Sequence, residues 1–185
     1  MADRLADVSR FLSFVLRHEP EAIGLHLDRE GWASVDELIA GALARGRALD
    51  AATIAQVVAT NDKQRFALSE DGARIRAVQG HSIDVDLGLA PVVPPALLYH
   101  GTATRFLDAI RREGLRPLDR KFVHLSATAV AAERVGARHG KPAVIAVRAF
   151  EAHEAGHVFH LSQNHVWLVR ALPTGFLALP EGARA

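Results

Sequence analysis

A chain of 185 residues makes one large domain or two small lobes and excludes solenoid arrays. Hydrophobic residues at 49% and charged residues at 23% supply a buried core and exclude a disordered tail. The absence of cysteine excludes a disulfide framework, a thiolate nucleophile and a Cys-ligated metal site. The formal net charge of +1 conceals an asymmetry. Residues 1–96 carry 10 Lys+Arg against 14 Asp+Glu, or −4, and residues 97–185 carry 12 against 7, or +5. Neither half is the uniformly basic slab that grips long nucleic acid by counterion release. A few placed arginines must do any such contacting. Only Lys63, Lys121 and Lys141 among the 22 basic residues are lysines. Arginine suits bidentate phosphate binding, although codon bias accounts for the ratio as well. The start lacks a basic region followed by an apolar core. The longest uncharged run, residues 87–104, contains three prolines and a histidine. A soluble cytoplasmic protein with no membrane partner is therefore expected.

Along the chain, Leu5, Val8, Phe11, Leu12, Val15 and Leu16 recur at helical spacing and predict an amphipathic helix over 5–17, stopped by Pro20. Ser34 to Glu37 form a capping-box pattern that opens a second helix, ended by Gly46. Asp50 caps a third through Ile54, Val57 and Val58. Residues 66–68, a turn at 70–72 and residues 73–78 then read as a hairpin. Helices followed by a two-stranded wing predict a winged-helix-like first lobe over 1–88. Pro91, Pro94 and Pro95 mark residues 89–96 as a linker, since proline removes donors and cannot lie inside a sheet. Beyond it, strands at 96–100, 122–126, 143–149 and 166–172 alternate with helices at 105–112 and 129–138, closed by Gly114 and Gly140. The second lobe, 97–185, is thus α+β, as is the whole chain.

His153 to His157 match the zinc hydrolase pattern of two histidines four apart around a glutamate. That chemistry needs a helix through both, yet Gly156 is a poor helix former and Val158 to Leu161 look strand-like. No Rossmann or P-loop glycine fingerprint and no G-x-S-x-G string occurs. Four strings place charge beside a structural stop: Val15 to His18, Asn61 to Phe66, Tyr99 to Thr102, and Asp119 to Ser126. Taken singly, each also reads as a helix-end cation, a solvated wing or a strand-end histidine.

In this order the strings resemble the RNA 2′-phosphotransferase family, called KptA in bacteria. The resemblance runs from about Leu5 to Leu179. It rests on Leu16 to His18, Gly31 and Trp32 before Val35 to Leu38, Lys63 to Phe66, Tyr99 to Thr102, Val123 to Ser126, Arg138 to Pro142, and Asn164 to Leu168. It implies removal of an internal 2′-phosphate from RNA, of the tRNA splice-junction type, by transfer to NAD+ as co-substrate with no metal. The implied products are 2′-hydroxyl RNA, nicotinamide and ADP-ribose 1″,2″-cyclic phosphate, formed through an ADP-ribosylated RNA. It also implies an ADP-ribosyltransferase-like NAD-binding second lobe, and a monomer.

By the same resemblance Arg17, His18, Arg65 and Arg120 are the catalytic set that meets the RNA phosphate, with Lys63 as a neighbour. His100, Gly101, Thr102, His124 and Ser126 line the NAD pocket. His153 to His157 become a loop before a strand, their zinc likeness coincidental. An alternative on the same fold is an ADP-ribosyltransferase that caps phosphorylated RNA or DNA ends. One departure stands out: relatives carry Asn-Gly-Val-Trp-Leu where this chain has His165 in the glycine position. That matters for NAD binding if the backbone there turns to positive φ. Similarly, His160 stands where an aromatic is usual.

Overall fold

The computed structural model describes residues 2–61 and 63–180. The last five residues of the expected second lobe lie outside the described residues. The chain forms two compact units, Met1–Gly88 and Leu89–Ala185, each with its own hydrophobic core.

In the first unit, α1 (Ala2–Arg17) buries Val8, Leu12, Val15 and Leu16, the stripe expected from their spacing. It closes where the amides of His18 and Glu19 both reach the Phe14 carbonyl oxygen, at 3.0 and 3.1 Å. Proline then opens a short 3₁₀ turn, Pro20–Ile23. α2 (Val35–Ala44) starts where Ser34 Oγ accepts from the Glu37 amide at 3.3 Å, and α3 (Ala51–Thr60) where Asp50 Oδ1 accepts from Thr53 at 2.6 Å. β1 (Ala33–Ser34), β2 (Phe66–Leu68) and β3 (Arg74–Ala77) form an antiparallel sheet in the order β1-β3-β2. The expected hairpin is β2–β3, with Phe66 opposite Ala77 and Leu68 opposite Ile75. Sheet and helices close over one core that includes Leu12, Leu16, Leu38, Ile54 and Ile75.

The second unit contains two three-stranded antiparallel sheets. β4 (Leu97–Ala103), β6 (Pro142–Arg148) and β9 (Leu177–Ala178) lie in the order β4-β6-β9. β5 (Val123–Leu125), β7 (Phe159–Leu161) and β8 (Trp167–Val169) lie in the order β5-β8-β7. Paired bonds between the main chains of Tyr99 and Ser126, at 2.9 and 2.8 Å, join β4 to the end of β5. Three helices complete the unit: α4 (Leu107–Glu113), α5 (Ala129–Gly136) and α6 (Ala149–Glu154). α5 lies very close to β4. A Cβ on Gly101 would stand 1.7 Å from the Ala132 carbonyl oxygen, and one on Gly136 would stand 2.4 Å from that of Thr102.

The observed architecture is α+β with small antiparallel sheets. Two local findings differ from the sequence reading. The proline-bearing stretch 89–96 is drawn onto the second unit, where the Val92 amide donates to the Phe159 carbonyl at 2.8 Å and Pro91 bridges to His160 at the open edge of β7. That position tolerates proline because an edge strand leaves one side unpaired. Further on, the expected loop at His153 begins as helix α6. Ala149 and Ala152 bury one face of that helix, Arg148 pairs with Glu151 at 2.8 Å, and Gly156 at φ +96° turns the chain away afterwards. No helix among the described residues is long and apolar enough to cross a membrane.

Candidate active site

At the C-terminal end of α1 the first unit brings together Arg17, His18 and the main chain of Arg65. Arg17 Nη2 lies 3.5 Å from the carbonyl oxygen of Arg65, and its guanidinium stands 5.9 Å from the centre of the Phe66 ring. The same Arg65 carbonyl accepts from the Val78 amide at 2.9 Å, so the entry to β2 is held from two sides. Next to Arg17, His18 Nδ1 lies 2.9 Å from Ser82 Oγ. The Ser82 hydroxyl is also 3.4 Å from the Arg17 carbonyl oxygen, which its amide reaches at 3.0 Å. The Ser82 hydroxyl thus lies between the His18 ring and the end of α1, and its single proton goes to Nδ1 or to the carbonyl according to the His18 tautomer. The open side of Gly80 faces the Arg17 guanidinium, with the position a Cβ would take 3.5 Å from Nη1.

Asn61 organises the loop that carries Lys63 and the Arg65 guanidinium. Its Oδ1 accepts from the Lys63 amide at 3.1 Å and from Arg65 Nη1 at 3.3 Å, while its Nδ2 donates to Ser9 Oγ on α1 at 3.0 Å. Gln64, at φ +41°, turns the chain between them. Neither Asn61 nor Ser82 is singled out by the sequence as a site residue. Asn61 has a local signal, an asparagine at a helix end two residues before a cation. Ser82 has none, because its partner lies 64 residues away.

In the second unit, His100 on β4 and His124 on β5 come together through the main chain. His100 Nδ1 lies 3.1 Å from the His124 carbonyl oxygen, and a carbonyl can only accept. The proton therefore sits on Nδ1 and Nε2 is left as an acceptor. Withdrawal of the ring from water holds His100 below the ordinary imidazole value; the carbonyl bond opposes this and the nearby His139 adds to it. Arg120 Nη1 approaches His124 Nδ1 at 3.5 Å, a long contact that brings the third arginine of the expected set to this pair.

The remaining expected residues serve the frame. Gly101 faces the backbone of α5, Thr102 is buried, and Ser126 supplies the bridge to Tyr99 through its main chain. His165 adopts φ +58°, the left-handed conformation raised by its place in a glycine position. The turn beneath it is built on buried Ser162, whose Oγ accepts from the Val166 amide at 3.0 Å and lies 2.8 Å from Asn164 Oδ1. His160 Nδ1 reaches the Leu89 carbonyl at 2.8 Å, and its ring meets Phe122 edge-on. As for the zinc-like string, the His153 ring packs by Phe150 and that of His157 by Phe176.

A profile of the family described as RNA 2'-phosphotransferase, Tpt1 / KptA family matches residues 3–171. A protein of Pseudomonas aeruginosa (strain UCBPP-PA14) named "Probable RNA 2'-phosphotransferase" is 59% identical, covering 94% of this chain and 96% of its own length. Proteins given the same name are 55% identical in Hahella chejuensis, over 98% of this chain and 100% of the relative, and 52% identical in Rhodopirellula baltica, over 96% and 97%. Matched over nearly its whole length by profile and relatives alike, this chain belongs to the RNA 2′-phosphotransferase, Tpt1 / KptA family.

Proposed function

We propose that this chain removes an internal 2′-phosphate from RNA, of the tRNA splice-junction type, by transferring it to NAD+ as co-substrate. The placement of Arg17 and His18 at one end of α1, with the main chain of Arg65 beside Arg17, carries the reading, because a phosphate dianion needs fixed donors. In this proposal Arg17, His18, Arg65 and Arg120 meet the phosphate, and Lys63 adds charge to the same loop. Family membership supports an RNA substrate and a transferase reaction.

His100 fits a dinucleotide because its neutral ring offers Nε2 as an acceptor for a ribose hydroxyl without adding a cation. His124 and Ser126 stand beside it on the neighbouring strand, and Gly101 and Thr102 hold β4 against α5. On this reading the first unit is a winged-helix-like lobe for RNA and the second an ADP-ribosyltransferase-like lobe for NAD+. The protein works as a cytoplasmic monomer.

Two steps follow from the chemistry. An oxygen of the 2′-phosphate, already anionic and needing no base, bonds to the anomeric carbon C1″ as the glycosidic bond to nicotinamide breaks. The 2″-hydroxyl then attacks phosphorus and loses its proton, and the RNA 2′-oxygen departs and gains one. Arg17, Arg65 and Arg120 neutralise charge on the phosphorus oxygens in both steps, and His18 is placed to move a proton in the second.

The test is incubation with NAD+ and an RNA carrying one internal 2′-phosphate, in EDTA, following nicotinamide and RNA together. Nicotinamide and 2′-hydroxyl RNA are expected in equal amounts. Persistent ADP-ribosylated RNA would favour end-capping, and phosphate release without NAD+ would overturn the reading.

A further inference from the structure

We infer that Arg105, Phe106, Arg138, His139 and Lys141 form a docking strip for the sugar–phosphate chain of the RNA flanking the modified nucleotide. Two stretches distant in sequence are stitched together here. The Thr104 amide donates to the Lys141 carbonyl at 2.9 Å. Beside this bond the Arg105 guanidinium lies over the backbone of Gly140, with Nη1 3.7 Å from the place of an absent Cβ. Arg138 and His139 occupy the single 3₁₀ turn, Ala137–His139, that leads into Gly140. Arg105 also stands 4.8 Å from the centre of the Phe106 ring, which is 42% exposed.

The strip differs from several other arginines of this unit in how its charge is met. Arg111, Arg116 and Arg148 each pair with an acid on their own element or beside it. Arg105, Arg138, His139 and Lys141 are exposed, and their side chains make neither an ion pair nor a hydrogen bond among the described residues. From 129 to 141 the chain holds Arg134, Arg138 and Lys141 against the lone acid Glu133. Like charges held side by side repel until a partner neutralises them, and the partner of matching form is a polyanion. An exposed strip suits a long chain of phosphates, whereas a small dinucleotide needs a concave site that buries it. Exposed Phe106 adds a face on which a base can stack. The strip also accounts for part of the +5 carried by residues 97–185.

The inference rests on the RNA substrate of the family and not on NAD+ as acceptor, so its test contains no dinucleotide. Binding of full-length protein to 2′-phosphorylated RNAs of about 4 and about 16 nucleotides is measured against salt, for wild type and for Arg105→Gln, Arg138→Gln, Lys141→Gln combined. For the longer RNA the triple variant should bind at least about tenfold more weakly at low salt. Its slope of log affinity on log salt should be shallower by about 2, from about 0.7 per lost phosphate contact. Affinity for the short RNA should be unchanged, as should NAD+ binding measured separately. Unchanged affinity for the longer RNA would overturn the inference. So would an equal loss for both RNAs, or a loss confined to NAD+. Arg138→Glu alone, a surface change, gives the same reading with a smaller weakening if the triple variant folds poorly.

Discussion

The withdrawal of His100 from water has a consequence for stability. In the unfolded chain this imidazole takes a proton near its ordinary value of 6.5, while in the fold it does so only at lower pH. As pH falls through about 6.5 the unfolded chain binds a proton that the folded chain refuses, so stability is present above that pH and is lost with acid. The slope from one such group is at most about 1.4 kcal/mol per pH unit. His100→Gln, which keeps a donor for the carbonyl, should flatten the acid limb of a urea-midpoint curve between about pH 7 and 5. Parallel curves for variant and wild type would exclude His100 as the cause. His165 supplies a second case. Its left-handed backbone costs a non-glycine residue about 1 kcal/mol, but glycine brings about 0.5–1 kcal/mol of extra chain entropy to lose. The two nearly cancel, so His165→Gly should shift stability by less than about 1 kcal/mol, whereas branched His165→Val should cost about 1–2 kcal/mol. Denaturant midpoints separate the two, and a large gain for glycine would mean that the turn is strained well beyond its φ. In both cases the residue is visible in the sequence and its state is not. A histidine shows neither its tautomer nor its φ until the carbonyl or turn that fixes it is placed.

The element that dictates most around these histidines is the contact of α5 with β4. With Gly101 facing the Ala132 carbonyl and Gly136 facing Thr102, there is room for no side chain at either point, and the opposing atoms are backbone. Gly101→Ala should therefore cost at least about 3 kcal/mol, above the usual range for an added methyl, because no rotamer change relieves it. Gly175→Ala, with nothing within 4 Å of its place, should stay within about 0.5 kcal/mol. Comparable melting temperatures for the two variants would show that α5 can slide. The sequence shows a glycine in Tyr99 to Thr102 and cannot show which backbone it admits. The elements themselves are more legible, for a physical reason. α2 and α3 announce themselves because Ser34 and Asp50 bond to amides three residues on, wholly within the local chain. The two-residue strands β1 and β9 escape notice because their pairing depends on partners, Ile75 and Arg74 for one and Ala146 and Val147 for the other, far away in the chain. The site divides in the same way. Arg17 and His18 stand side by side in the sequence, and Lys63 and Arg65 share one loop, but Ser82 joins them only through a long-range bond.

Over the whole molecule, the chemistry and the charge are divided between two units that each have a core of their own. Leu12, Leu16, Leu38 and Ile54 lie fully buried in the first, and Leu98, Leu125, Ile145 and Phe159 in the second. A unit of this size with a closed core holds marginal stability by itself, so residues 89–185 expressed alone should show a cooperative, if lowered, melting transition. Function should divide less evenly. Residues 1–88 carry Arg17, His18 and Arg65 at a formal charge of −4, whereas residues 89–185 carry His100, His124, Arg120 and the docking strip at +5. Binding of unmodified RNA draws mainly on net positive charge, which the second unit carries together with the exposed Arg105, Arg138 and Lys141. Removing an acidic unit takes away repulsion as well. The isolated second unit should therefore bind a long unmodified RNA at least as tightly as the full chain at low salt, with a similar salt slope. Transfer of the 2′-phosphate calls for the arginines of α1 and its neighbouring loop, so the same fragment should yield no 2′-hydroxyl RNA from a 2′-phosphorylated substrate. Anisotropy titrations across salt, with the turnover assay run on the same preparation, measure both. If the fragment lost RNA affinity altogether, binding would rest on the first unit and the strip would have no role in it. If the fragment turned the substrate over, Arg17, His18 and Arg65 would be dispensable and the proposed assignment of the phosphate to them would fail.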